Sequence, residues 1–491
     1  MYVRVRDGDV DGNGSLLAGK EVNINLSGDL TNVGTIAGRS IVNITADNVQ
    51  NLGGRINGDA VSVAAQTDLN NIGGTISANS QLLVTAGRDI NIETTVRSAA
   101  NSVGGNSFSR ATVDRVAGLY VSGETVGSTL IATAGRDVNV IAGVIGNGGT
   151  DGVTFISATR NLNLGTVTTA ASNNLNWDDK NRRSDSETTE IGSQIQGVGR
   201  VDLAAGQDIN VRAATVQAGA TLTAVAGNDI NIIAGQSTQS VDESHQHTSK
   251  GLLSSKTITT RNSMNGTSAI GSTLEGQNVL LSSGQDVNLR GAAINAGQAL
   301  IVDAQRDVNI TAAEDTRGET HFSQTRREAT GLAKGLATII AVVDPIAALT
   351  PNSVNQVAIA ALLTKQNQAT DQDNASTTAV GSELTGGTID IQSKRDTLVE
   401  GSTIVADGDV SVVAGRNLTI TTAENTQAGQ FSATDKTSGL LRFDATGNSV
   451  GKREQDQAQQ NEAIGHTASQ IASLGQGGEP GVAGSAPYRR R

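Results

Sequence analysis

At 491 residues the chain has room for roughly three ordinary domains, yet 58 glycines against 4 prolines and only 2% aromatic residues argue against wide globular cores. A net charge of −12 lacks the basic footprint of a nucleic-acid binder and favours a soluble particle. Without cysteine there is neither a disulfide framework nor a thiolate metal site.

The opening, Met1-Tyr2-Val3-Arg4-Val5-Arg6-Asp7-Gly8-Asp9, holds no apolar signal core; if the protein is exported, its signal lies upstream, and we read the chain as a fragment. Asp7-Gly8-Asp9-Val10-Asp11-Gly12 resembles the start of a calcium loop. Its twelfth position, which needs a bidentate carboxylate, is Ala18, and we assign no calcium there.

From residue 30 onward a unit repeats every 20 residues, placing Ile36, Ile56 and Ile76 in register. These isoleucines alternate with polar or small neighbours, the period-2 pattern of a strand with one buried face, and the intervening Gly and Asn suit tight corners. A second motif, Ala86-Gly87-Arg88-Asp89-Ile90-Asn91-Ile92, returns at 134–140, 205–211 and 226–232, and more loosely at 18–24, 283–289, 304–310 and 414–420. A short strand recurring at a near-fixed interval describes a solenoid. About 20 residues make one coil of three short strands and three turns. Ile90 and Ile92 should point inward, and Asn91 outward or into an amide ladder. About 18 to 20 such coils, stacked at ~4.8 Å, would form a rod of roughly 90 Å. The recurring Asp89, Asp137, Asp208, Asp229, Asp286 and Asp307 obey the repeat and are therefore read as corner residues, not as ligands or catalysts.

After residue 190 the coils are packaged into larger units. Each opens on Gly-Ser-x-Leu/Ile (Gly192-Ser193, Gly271-Ser272, Gly381-Ser382), runs through a doublet, and ends in a polar stretch holding Gly251-Leu252, Gly331-Leu332 or Gly439-Leu440. This organisation divides the chain into 20-residue coils over 1–190 and modules over 191–269, 270–379 and 380–462. The remainder, 463–491, is a truncated fourth module, beginning near Ile464-Gly465-His466, or a disordered tail. Residues 236–268 read as a lateral hairpin or a loose loop. Residues 331–366 read as a helical insert, since Asp344-Pro345 and Thr350-Pro351 pair an N-cap residue with a first-turn proline. Its apolar run, 336–343, is too short to span a bilayer.

Chemistry is sparse. Gly146-Asn147-Gly148-Gly149-Thr150-Asp151-Gly152-Val153 resembles a calcium-binding nonapeptide but occurs once, and a flexible corner is the better reading. His245 and His247 would share a strand face near Asp242 and Glu243, without a firm third metal ligand. No serine triad, nucleophile elbow or phosphate loop is legible. We expect no catalytic, cofactor or metal site and no enzyme activity. A polysaccharide-active β-helix is a remote alternative that would need clustered, non-periodic carboxylates.

Together, the Ala-Gly-x-Asp-Ile-Asn-Ile repeats, the Asn-x-Gly-Gly-x-Ile coils and the Gly-Ser-x-Leu modules resemble filamentous-haemagglutinin-like exoproteins over nearly the whole chain. The resemblance implies an all-β, right-handed parallel β-helix and two-partner secretion through an outer-membrane transporter. It further implies a secreted or surface-exposed location and contact with a receptor on a host cell or neighbouring bacterium. The chain would then serve as an adhesin shaft or, alternatively, as the delivery stalk of a contact-dependent growth inhibition toxin. Neither nucleic-acid binding nor a transmembrane segment is expected.

Overall fold

The computed structural model describes residues 15–123, 126–252, 254–329, 365–438 and 452–473. Over these residues the chain is an all-β parallel helix, as the periodicity implies. One coil runs Thr215–Ala218, Thr221–Ala226 and Ile230–Ile233. The first two strands belong to a 19-stranded sheet and the third to a 12-stranded sheet, both parallel between coils. In N-terminal coils the first two strands merge, as in Thr35–Ala46, which bends where its register shifts between Ala37 and Ile41.

The interior is built of aligned columns. Ile90 stacks on Val138 and Ile92 on Val140, all with 0% exposure. Burying each such side chain contributes about 1.5–3 kcal/mol, and each coil gains it only from the coils above and below. Beside the aliphatic columns a short amide ladder runs inside the N-terminal coils, where Asn32 donates to Asn51 at 2.8 Å and Asn51 to Asn71 at 2.7 Å.

The expected coil number is too high. Twelve strands make up the second sheet, so the described shaft holds about twelve coils and is roughly 60 Å long. The difference lies in ten strands that form a third, antiparallel sheet. They are five hairpins: Thr95–Val103 with Asn106–Arg115, Val167–Asp178 with Asn181–Ile191, Gly235–Lys250 with Ser254–Ile270, Ala313–Ala329 with Lys365–Val380, and Ala423–Ser438 with Lys452–Thr467. Residues 236–268 are thus a hairpin. The proposed helical insert lies outside the described residues apart from Lys365 and Gln366, which are strand. Ile464, Gly465 and His466 belong to the fifth hairpin, and coil pairing resumes at Gln470.

All five hairpins leave from one corner, after a strand of the 12-stranded sheet, and successive hairpins are separated by two coils. Two coils advance about 9.6 Å, the width of two hydrogen-bonded strands. Each hairpin therefore meets the next in pairing distance: Ser109 opposes Ser172, Ser186 opposes Ser240, Asn265 opposes Gly318, and Ala375 opposes Ala428. At six of the seven corners where no hairpin leaves, the chain is turned by one left-handed residue: Gly53, Gly73, Ala142, Ala213, Gly291 or Gly401. At Gly401 an added Cβ would also overlap Ala423.

Candidate functional surfaces

The repeated motif is a structural corner. The Asp137 backbone N–H donates to Asp89 Oδ1 at 3.2 Å, Asn161 to Asp137 at 3.1 Å, and Asp286 to Asp229 at 2.9 Å. From the coil above, an arginine clamps the same carboxylate: Arg136 Nε lies 2.7 Å from Asp89 and Arg160 Nε 2.7 Å from Asp137, with like pairs Arg88–Asp68, Arg306–Asp286 and Arg416–Asp396. These guanidinium partners hold Asp68, Asp137 and Asp286 below the usual carboxylate range, and Asp396 falls to about 2. Already engaged, such carboxylates offer little to a ligand. The arginine stands at the variable third position of the motif, and a degenerate copy, Ala158-Thr159-Arg160-Asn161, supplies one more. The signal was a cation beside the acid in four of the eight copies.

Two further ladders account for the remaining motif residues. On the outer side of the 12-stranded sheet, Asn91 donates to Asn70, Asn139 to Asn91, Asn163 to Asn139 and Asn210 to Asn163, at 2.8–2.9 Å. The series continues through Asn231, Asn288 and Asn309 and ends where Leu398 replaces asparagine. The serine of Gly-Ser-x-Leu is buried and donates to carbonyls at or near the strand ends of earlier coils: Ser193 to Val140 O at 2.6 Å and Gly165 O at 2.9 Å, Ser272 to Ile233 O at 2.7 Å, Ser382 to Thr311 O at 2.9 Å. For Ser272 and Ser382 that carbonyl ends the strand from which a hairpin departs, so the hydroxyl satisfies an acceptor beside the interrupted ladder.

The lateral sheet is open on both faces. Apart from Gly235, Ala313, Ala379 and Ala423 at its neck and Thr259 and Ala329 farther out, its described side chains are half-buried or exposed. Phe108, Trp177 and Phe431 are 48%, 59% and 37% exposed. Trp177 leans on His245 with centroids 5.7 Å apart, and Arg261 lies over Phe322 at 5.6 Å. His245 and His247 lie two apart on one strand, but Glu243 is held by Asn262 at 2.9 Å and Arg183 at 3.6 Å. Among the described residues no three His, Cys, Asp or Glu groups could hold a metal. The first calcium candidate lies outside the described residues except for Ala18. In the second, Asn147 is buried and its Oδ1 accepts from Ser128 at 3.0 Å and Gly149 at 3.1 Å, forming a corner.

A third surface follows the bend between the two strands of the 19-stranded sheet. There a groove of about 800 Å³ crosses six consecutive coils, from Tyr120 to Asn295.

A stacked β-helix with structural corners and a laterally paired hairpin sheet defines a repeat-built shaft. Comparison with known families places it more closely: the hemagglutinin-repeat model matches residues 175–325 and 363–477, more than half of the chain, and the protein belongs to that family. Among curated relatives, the chain is 27% identical over 341 residues to the tRNA nuclease CdiA of Escherichia coli (strain STEC_O31), covering 60% of this chain and 10% of that protein. It is likewise 27% identical over 305 residues to the tRNA nuclease CdiA-2 of Burkholderia pseudomallei (strain 1026b), covering 60% and 9%. Against Toxin CdiA of Yersinia pestis it is 37% identical over 98 residues, covering 20% and 3%. The chain thus spans about a tenth of the length of the first two relatives. No solved structure matches it. Among the described residues, no helix is long and apolar enough to cross a membrane.

Proposed function

We propose that this chain is the adhesive shaft of a secreted or surface-exposed bacterial exoprotein, exported through an outer-membrane two-partner secretion transporter and acting without catalysis. The supporting observation is the lateral sheet, which holds Phe108, Trp177 and Phe431 exposed on a surface open on both sides. Exposed aromatic side chains on a rigid polar frame suit contact with a cell-surface receptor. The repeating unit in this reading is two coils and one hairpin, which divides the chain near residues 191, 270 and 380.

Beads coated with the full chain should adhere to host epithelial cells or to neighbouring bacteria. The Trp177→Ala, Phe108→Ala double variant should lose about tenfold in retention with its thermal midpoint unchanged. Beads that bind neither cell type would end the adhesive reading.

A second reading, that the shaft delivers a toxin, is supported by the relatives named as nucleases and toxins. It requires the gene to continue into a nuclease-like segment followed by a small immunity gene. Contact killing of cells lacking that gene is the outcome that would favour it.

A further inference from the structure

Tyr120 breaks the repeat in which it sits. It occupies an outward-facing column whose members, coil by coil, are Ser77, Tyr120, Gly146, Gln196, Gln217, Glu275 and Asn295. An aromatic ring in a column of small and amide side chains needs room, and two glycines provide it. A Cβ on Gly118 would overlap the phenol end of the ring, and one on Gly146 would begin 3.4 Å from its edge. Gly118 and Gly146 also depart from their columns, since the residues paired with Gly118 are Thr75 and Val144. The ring therefore folds back along its own strand instead of standing off it. It is half-buried, and burial pushes its phenol up.

From this ring the groove runs along the amide column for about 24 Å, six coils at the stacking interval. Gln217 donates to Glu275 at 2.9 Å, which ties the single carboxylate of the groove to the amide column. No lysine or arginine lines it. Backbone groups along this face are paired between coils, which leaves no strand edge for an extended peptide to join. A polyanion would find no cation there and would meet a net charge of −12. What is offered is one ring platform and a row of uncharged donors and acceptors at nearly the spacing of successive sugar rings.

We propose that this groove binds an extended, uncharged oligosaccharide, with one sugar stacked on Tyr120 and following sugars hydrogen-bonded to Gln196, Gln217 and Asn295. The proposal does not depend on the lateral sheet, so it can fail while the adhesive reading stands, and the converse also holds.

Saturation-transfer NMR and calorimetry on the full chain would test it with hexamers of glucose, mannose, galactose and N-acetylglucosamine, beside hexagalacturonate as the anionic probe. We expect at least one neutral hexamer to bind. Its affinity should fall about tenfold in Tyr120→Ala, fall similarly in Gly146→Gln, and persist in Tyr120→Phe, with circular dichroism unchanged. The proposal is overturned if no neutral hexamer binds at millimolar concentration, if hexagalacturonate binds more tightly, or if binding survives both groove substitutions. Should Tyr120→Ala not fold, Gly146→Gln alone decides, because it restores the amide type found in the neighbouring coils.

Discussion

Asp137 shows how one residue type can serve a whole repeat. Its carboxylate accepts the next coil's Asn161 N–H at 3.1 Å and the Arg160 guanidinium, and the side chain is 10% exposed. Replacing it by alanine orphans the half-buried Asn161 N–H and the Arg160 clamp, and we expect a loss of about 1–2 kcal/mol in urea unfolding. Acid should act on the same ladder. Asp68, Asp137, Asp286 and Asp396 have folded values below the unfolded reference of about 3.9, so the ionised form favours the fold. Their contribution is fully present above about pH 4 and is lost as pH falls through the folded values, about 2 for Asp396. The thermal midpoint followed by circular dichroism should hold steady down to about pH 4.5 and then decline towards pH 2. A midpoint that stayed level across that window would show that the corner carboxylates do not hold the coils together. Asn231 makes the complementary point, because its amide both donates to Asn210 and accepts from Asn288, at 2.9 and 2.8 Å, which a carboxylate cannot do. Asn231→Asp should cost about 1–2 kcal/mol, while Asn231→Gln, which keeps both functions on a longer arm, should cost less.

At the level of elements, the pitch of the shaft dictates the spacing of the hairpins. Deleting one coil, residues 194–214, would leave the second and third hairpins about 4.8 Å apart where about 9.6 Å is needed. We expect the lateral sheet to split there, with fast hydrogen exchange over 236–268 and retained protection in the shaft. Deleting residues 192–270, two coils and one hairpin, should preserve exchange protection in the remaining hairpins. Equal protection in both deletions would mean that the hairpins do not depend on coil pitch. The strands of a coil such as 215–233 are 4 to 6 residues long, whereas the hairpin strands run from 9 to 17 residues. The coil strands announced themselves because Ile90 and Ile92 alternate with polar neighbours and face inward. The hairpin strands have no consistently buried face, so no alternation marks them, and their partners lie far away in sequence. Ser240, for instance, pairs with Ser186 on one side and Asn265 on the other. That is why the sequence overstated the number of coils.

At the scale of the molecule, the aromatics among the described residues lie outside the shaft's core. Phe108, Trp177, Phe322 and Phe431 lie on the lateral sheet, and Tyr120 lines the groove. A narrow tube filled by Val, Ile, Leu and Ala has little use for rings, whose volume it cannot close around. The sequence by itself determined the coil, its inward aliphatic columns and its polar corners, because a coil is a local object repeated about every 20 residues. Its repeats also pointed to the hemagglutinin family. Tertiary structure alone decided the number of coils, the pairing of five hairpins into one sheet and the placing of Tyr120 at the end of a groove. Those features come from contacts between segments 20 to 90 residues apart, and no local pattern of side chains encodes which distant strand will be the neighbour.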